Sequence, residues 1–273
     1  MNSTYIVSRF SIPTHLQGSY SGFAIRPLSV EEVISIEDQF HRQGDEQRIP
    51  SGLGTFILPD TSVALSGIPD LITMVEFACC IVAVSGHPSF HSVAIFSNGK
   101  CSHVRHVPRS SSDSPDISFV NGLTANGLLQ WLRRCLQAKA NLKDRMHITA
   151  HRFVRSVRAE NSSDRIMDLC ISLESLLDHQ TEVSFRFSIS LARVIGAKGA
   201  VSQKNAALLS DLYEARSKLA HGDPAAGRLV RRLEPRFPEV NALAKELLTT
   251  YVLYVSEHLR SEWKDHIYNC LYS

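Results

Sequence analysis

The sequence predicts an α+β fold: a β-rich N-terminal domain over residues 1–120, followed by an all-α helical bundle over residues 121–273. Three observations carry that expectation. Up to Val104, short apolar runs alternate with turn residues, as strands and hairpins require. Arg105 to Ser118 is rich in Ser, Pro and Asp and has no apolar period, so it reads as a linker or long exposed loop. Beyond it, apolar residues recur at three- and four-residue intervals, the period of a helix with one buried face.

The elements follow in order. Turn signals fall at Gly52-Leu-Gly54, Pro59-Asp60, Ser66-Gly67, Gly86-His87-Pro88 and Asn98-Gly99. The last separates Val93-Ala-Ile-Phe96 from Cys101-Ser-His-Val104, which is the pattern of a tight hairpin. Val30 to Phe40 reads as a short helix, and Ile68 to Val84 is open between helix and strand. After the linker, Leu128, Leu132, Cys135 and Leu136 mark one helix. Ile166, Leu169, Cys170, Leu173, Leu176 and Leu177 mark a second, entered through the capping run Asn161-Ser-Ser-Asp164. Phe187, Leu191, Val194 and Ile195 mark a third, closed by Gly196. Leu208, Leu212, Ala215 and Leu219 mark a fourth, ending at His221-Gly222-Asp-Pro224. Pro238 suits a first helical position, with Val240, Ala244, Leu247, Tyr251, Tyr254 and His258 on one stripe after it. Such one-sided helices, joined by short loops, bury their stripes against one another as a bundle. Trp131 and Tyr251 are expected in that core rather than as base-stacking platforms.

The composition is that of a globular protein. Of 273 residues, 44% are hydrophobic and 21% charged, enough for one large or two modest domains. The formal net charge of +2 is close to neutral, so any basic footprint for nucleic acid has to be local. The longest apolar run, Phe77 to Val84, is too short to span a membrane, and the N-terminus has no long apolar stretch of a signal peptide. The six cysteines have no repeating spacing and read as reduced thiols, so a cytoplasmic setting is expected. His87, His91, Cys101, His103 and His106, and the pair His147 and His151, are potential ligands without a familiar zinc spacing. No metal and no cofactor are expected, and there is no Gly-rich phosphate loop, nucleophile elbow or internal repeat.

The stretch Tyr213-Glu-Ala-Arg216-Ser-Lys-Leu-Ala-His221-Gly222 places an arginine and a histidine five positions apart at a helix end. An imidazole titrates near neutral pH and can move protons. A guanidinium can hold a phosphate whose charge grows in a transition state. Together they are the minimum kit for cutting RNA without a metal. Five helical residues turn through about 500°, so the two side chains point about 140° apart on an unbroken helix. Convergence on one phosphate therefore requires the helix to end at His221, which Gly222 can do in the left-handed conformation, or a second protomer. A plainer reading is a histidine satisfying the last helix carbonyls and an arginine in a surface ion pair.

Three blocks in the C-terminal half resemble the HEPN superfamily, specifically its Apea-like branch. The first is Arg152-Phe153 and Ser156, with Asp164-Arg165-Ile-Met-Asp168-Leu-Cys-Ile-Ser-Leu-Glu174-Ser-Leu-Leu177. The second is Phe185-Arg186-Phe187-Ser-Ile-Ser-Leu-Ala192-Arg-Val-Ile-Gly196. The third is the segment from Leu212 to Gly222, which fits the family's Arg-x4-6-His signature. The match covers roughly residues 122 to 260, and departs from the family's pattern at Ser172 and Ser217. The resemblance implies a helical bundle that pairs as a homodimer and a metal-independent ribonuclease whose two motifs meet across the dimer cleft. It also implies a toxin or antiviral defence effector, with an antitoxin or defence-system partner. Its inactive members are RNA-binding or protein-interaction modules. Arg216 and His221 would be catalytic, with Glu174, Ser217 and Tyr213 in support.

Glu174 lies on or beside the apolar stripe, where an unpaired carboxylate is costly. It either orients Arg216 or a neighbouring arginine, or makes a structural salt bridge. Lys218, Arg228, Arg231, Arg232 and Arg236 follow or flank the motif, and Arg186 and Arg193 could add to a phosphate-binding footprint. The alternative is a solvated face with pairs to Glu234 or Glu239.

Overall fold

The computed structural model describes residues 3–11, 16–43, 53–83, 92–97, 100–104, 122–142, 144–177, 184, 186–195, 202–258, 262–263, 265–267 and 269. The chain is mixed α and β, and it divides into two compact units, Met1–Leu136 and Gln137–Ser273.

The first unit is built on a six-stranded sheet of order β2-β3-β4-β1-β5-β6, every neighbouring pair antiparallel. The strands are β1 (Ser3–Ser11), β2 (Gly18–Tyr20), β3 (Phe23–Pro27), β4 (Leu53–Pro59), β5 (Ser92–Ser97) and β6 (Lys100–Val104). Register aligns Ile25, Phe56, Ile6 and Ile95 in one row across four strands, and all four are buried. Cross-strand neighbours on one face pack directly, so this row forms the spine of the first core. The β5–β6 pair forms as its flanking sequence predicts, while Asn98 and Gly99 themselves lie outside the described residues, as does the linker over 105–118.

Helix α1 (Val30–Arg42) begins in a capping box: the Ser29 hydroxyl accepts from the Glu32 N–H, and the Glu32 carboxylate accepts from the Ser29 N–H. Glu32 also receives both terminal nitrogens of Arg26, at 2.6 and 2.7 Å. The ambiguous segment is a helix, α2 (Asp60–Val82), and it packs against β1 and β4. From Leu71 to Cys80 nearly every side chain is buried, so this part of the helix carries no exposed polar stripe and its periodicity is hidden. The N-terminal part is therefore more helical than its turn signals suggest.

The boundary between the units falls within α3 (Ala125–Leu142). In the first unit, Trp131 is buried and its indole N–H donates to the Ala78 carbonyl at 3.1 Å, as suits a core tryptophan.

The second unit is helical. It comprises α4 (Asp144–Arg158), α5 (Ser162–Glu174), a π-helical turn (Arg186–Ser190) running into α6 (Leu191–Val194), α7 (Gln203–Ala220), α8 (Ala226–Leu233), a 3₁₀ turn (Glu234–Arg236) and α9 (Phe237–Glu257). Asn161 caps α5 by accepting the Ser163 N–H at 2.7 Å, as its sequence predicts. Pro238 is the second helical residue of α9 rather than the first, a place that equally needs no N–H donor. Gly196 lies outside the described residues.

Two helices, α4 and α8, are additional to those the period marks. Met146, Ala150, Phe153, Val154 and Val157 do form a buried stripe on α4. Four arginines in fifteen residues dilute that stripe in the sequence. Tyr251 is buried and meets Trp263 edge-on at 4.9 Å, and the Trp263 indole N–H donates to the Leu176 carbonyl at 2.9 Å. That bond ties the C-terminal turn to the end of α5.

Candidate functional site

The site grows from the C-terminus of α7. The helix ends at Ala220, His221 is its cap, and Gly222 adopts φ +66°. The Gly222 N–H donates to the Leu219 carbonyl at 3.2 Å, and the Asp223 N–H donates to the Lys218 carbonyl at 2.9 Å. This is the Schellman arrangement, which satisfies the last carbonyls with a left-handed glycine. The His221 imidazole is therefore not needed for the carbonyls. It is exposed and makes no hydrogen bond or ion pair among the described residues.

One turn earlier, Arg216 points toward α5. Its Nη2 lies 3.2 Å from Glu174 Oε2, with side-chain exposures of 27% and 21%. Its guanidinium carbon is 6.0 Å from the centre of the Tyr213 ring, the outer edge of a cation–π contact. The Arg216 Nε is buried without a hydrogen-bond partner among the described residues. Burial pushes the Glu174 carboxyl above its ordinary range, and Arg216 opposes that shift by charge and hydrogen bond without cancelling it. The Tyr213 phenol is likewise raised by burial and then by the Glu174 charge. Tyr213 packs on Phe187 of the π-helical turn at 5.2 Å.

The helices α5 and α7 meet along Cys170, whose thiol points at the Leu212 carbonyl (3.5 Å). One helical turn separates Cys170 from Glu174, so the contact that buries the thiol also brings the carboxylate to Arg216. Ser217 is half-buried, and its carbonyl accepts the His221 N–H at 3.1 Å.

The flanking cations divide into two groups. Lys218 pairs with Glu214 on its own helix at 2.9 Å. Arg232 and Arg236 both reach Asp211 of α7, at 2.6 and 3.5 Å, and Arg236 also lies 3.6 Å from Glu239. Asp211 is the acid that sequence reasoning missed. It stands twenty-one residues before Arg232, and only the return of α8 along α7 joins them. Arg228 and Arg231 are exposed and make no ion pair among the described residues. The side chain of Arg186 lies outside the described residues, so its expected place in the footprint is not described.

Among the described residues, no group of three or more His, Cys, Asp or Glu side chains comes together as a metal site. His87, His91 and His106, and the side chain of His103, lie outside those residues. Cys79, Cys135 and Cys170 are buried thiols outside any disulfide. Among the described residues, no helix is long and apolar enough to cross a membrane. Comparison of the chain with protein-family models, with curated proteins and with solved structures finds no match.

Proposed function

We propose that this chain is a metal-independent endoribonuclease of the HEPN type, acting on single-stranded RNA. The observation that supports this reading most is the end of α7. A glycine cap leaves the His221 imidazole open to solvent, one turn beyond a half-buried Arg216 whose Nε has no partner among the described residues. In this mechanism His221 takes the proton of a ribose 2′-OH as that oxygen attacks the adjacent phosphorus. The P–O5′ bond breaks, and the departing 5′ oxygen receives a proton from a second imidazole. Arg216 stabilises the charge on the phosphate. The products are a 2′,3′-cyclic phosphate and a 5′-hydroxyl. The second imidazole comes from a homodimer partner, so the active form is a dimer. A toxin or antiviral defence effector in the cytoplasm, held by an antitoxin or defence-system partner, is the setting that suits such an activity.

The second reading is a HEPN module without catalysis, used for dimerisation, RNA binding or partner binding. The Arg216–Glu174 contact favours it, because an arginine already paired to a carboxylate is less available to a phosphate. The experiment is cleavage of an end-labelled, mixed-sequence RNA in EDTA by wild type and His221→Ala. Cleavage by wild type alone, with cyclic-phosphate ends and DNA left intact, supports the enzyme. Cleavage by His221→Ala, or of DNA, overturns the mechanism. No cleavage by either folded dimer favours the module.

A further inference from the structure

The solvent side of α4 has no part in the proposed chemistry, yet its composition is unusual. Between Arg145 and Arg158 the helix contains no acidic residue. Its exposed positions are Ile148, His151 and Arg155, with His147 and Arg152 half-exposed beside them. These fall at three- and four-residue spacings, so they form one stripe. At about 1.5 Å per residue, Ile148 and Arg155 are about 10 Å apart along the axis, long enough to meet more than one phosphate.

The stripe carries more positive charge than the fold needs. Asp168 of α5 is buried, and its two oxygens are met by Arg152 Nη1 at 2.6 Å and Arg155 Nε at 3.2 Å. One buried carboxylate is balanced by one cation. The second arginine is therefore surplus to charge balance. Arg155 is 54% exposed and, among the described residues, engages Asp168 only through Nε, which leaves its two terminal nitrogens for a ligand. Two terminal guanidinium nitrogens match the spacing of two phosphate oxygens. His151 stacks on His147, ring centres 5.7 Å apart and planes within 10°. Its imidazole is held below the ordinary range, first by burial and then by His147, Arg155 and Arg152, against the opposing charge of Asp168. An added phosphate would supply the negative charge that Arg155 lacks and would accept a hydrogen bond from the neighbouring His151 imidazole. Ile148 adds exposed apolar area beside them.

We infer that Arg155 and His151 on the outer face of α4 bind the sugar–phosphate backbone of single-stranded RNA, with Arg152 holding Asp168 beside them, as a docking surface separate from Arg216 and His221. The inference takes its ligand from the ribonuclease reading. Helix α5 links the two places, with Asp168 facing α4 and Glu174 facing α7.

The test is binding, read by fluorescence anisotropy of the full chain with a short 2′-O-methylated RNA. That RNA cannot be cleaved by 2′-OH attack, so a failure of catalysis leaves this readout intact. The variants are Arg155→Gln, His151→Gln and their combination. Arg152 is kept, because Asp168 needs it. The expected result is several-fold weaker binding and a salt dependence whose log–log slope falls by about 0.7 for each phosphate that is no longer neutralised. Arg155→Lys, which keeps the charge but not the two-pronged contact, should recover the salt slope and part of the affinity, and guards against a folding defect. Wild-type affinity in the double variant overturns the inference. So does an RNA affinity unchanged by variants that fail to bind polyaspartate, which would make an acidic protein the occupant.

Discussion

Arg216 and Glu174, forty-two residues apart in sequence, are joined by a single 3.2 Å contact between α7 and α5. The contact is sparse for a guanidinium, which has five N–H donors. Burial holds the Glu174 carboxyl above its ordinary range even with Arg216 beside it. Ionising Glu174 therefore costs the folded state more than the unfolded one. Its contribution to stability falls as pH rises from the ordinary carboxyl value of 4.5 through the higher folded value. Glu174→Gln removes that ionisation. Thermal unfolding should show the variant gaining on wild type as pH rises above 4.5, by no more than about 1 kcal/mol at neutral pH. A gap that moves the other way would mean that the ion pair dominates over burial.

Gly222 tests how far the helix end positions His221. A Cβ added there meets nothing within 4 Å, so the cost of Gly222→Ala is that of the backbone at φ +66°. For an L-residue this is about 1 kcal/mol, readable as a lower unfolding midpoint. If His221 works from the cap, RNA cleavage should fall by more than that stability loss explains. His221→Ala, at an exposed position, should change stability by less than about 0.5 kcal/mol.

Asp168 should be the most costly carboxylate of the second unit to lose. It is buried at the α4–α5 interface and meets two arginines. Asp168→Asn leaves both guanidiniums without their charge partner. The cost should be about 2–3 kcal/mol in denaturant unfolding, below the full value for a buried pair because both arginines can reach water. A loss under about 0.5 kcal/mol would assign the α4–α5 interface to its apolar stripe alone.

The C-terminal turn should respond to acid. Tyr254 stacks on His258 at 4.4 Å and on His266 at 4.6 Å, with Trp263 at 5.3 Å. Burial, then the His258 charge, pushes His266 below the ordinary histidine value of 6.5. A lowered histidine binds fewer protons folded than unfolded, so stability is lost as pH falls from 6.5 toward the folded value. His266→Gln should reduce that loss, measured as the change in midpoint across the acid range. His151 is lowered in the same direction, so part of the loss should remain.

The reach of the sequence differs from element to element. The Asn161 cap, the α1 helix and the β5–β6 pair rest on local chemistry, and local chemistry is visible in a few neighbouring residues. Helix α2 is open between helix and strand in the sequence because burial on all sides from Leu71 to Cys80 removes the polar face that reveals a period. Helix α4 is hidden for the opposite reason: its arginines mask a narrow apolar stripe. The motif end at Gly222 is legible, since a glycine after the last periodic residue is a stop signal wherever it occurs. The surplus cation on α4 is not, because it is surplus only relative to Asp168 on another helix.

By itself the sequence determined the mixed α and β composition, the caps, the apolar stripes and the place where α7 stops. Each of these depends on side chains within about one or two turns of one another. The tertiary structure alone decided the charge partners: Glu174 for Arg216, Asp211 for Arg232 and Arg236, and Asp168 for Arg152 and Arg155. An ion pair forms only within a few ångströms. Which carboxylate comes that close to a given arginine is set by how the apolar stripes of two helices dock, not by the order of the residues along either one.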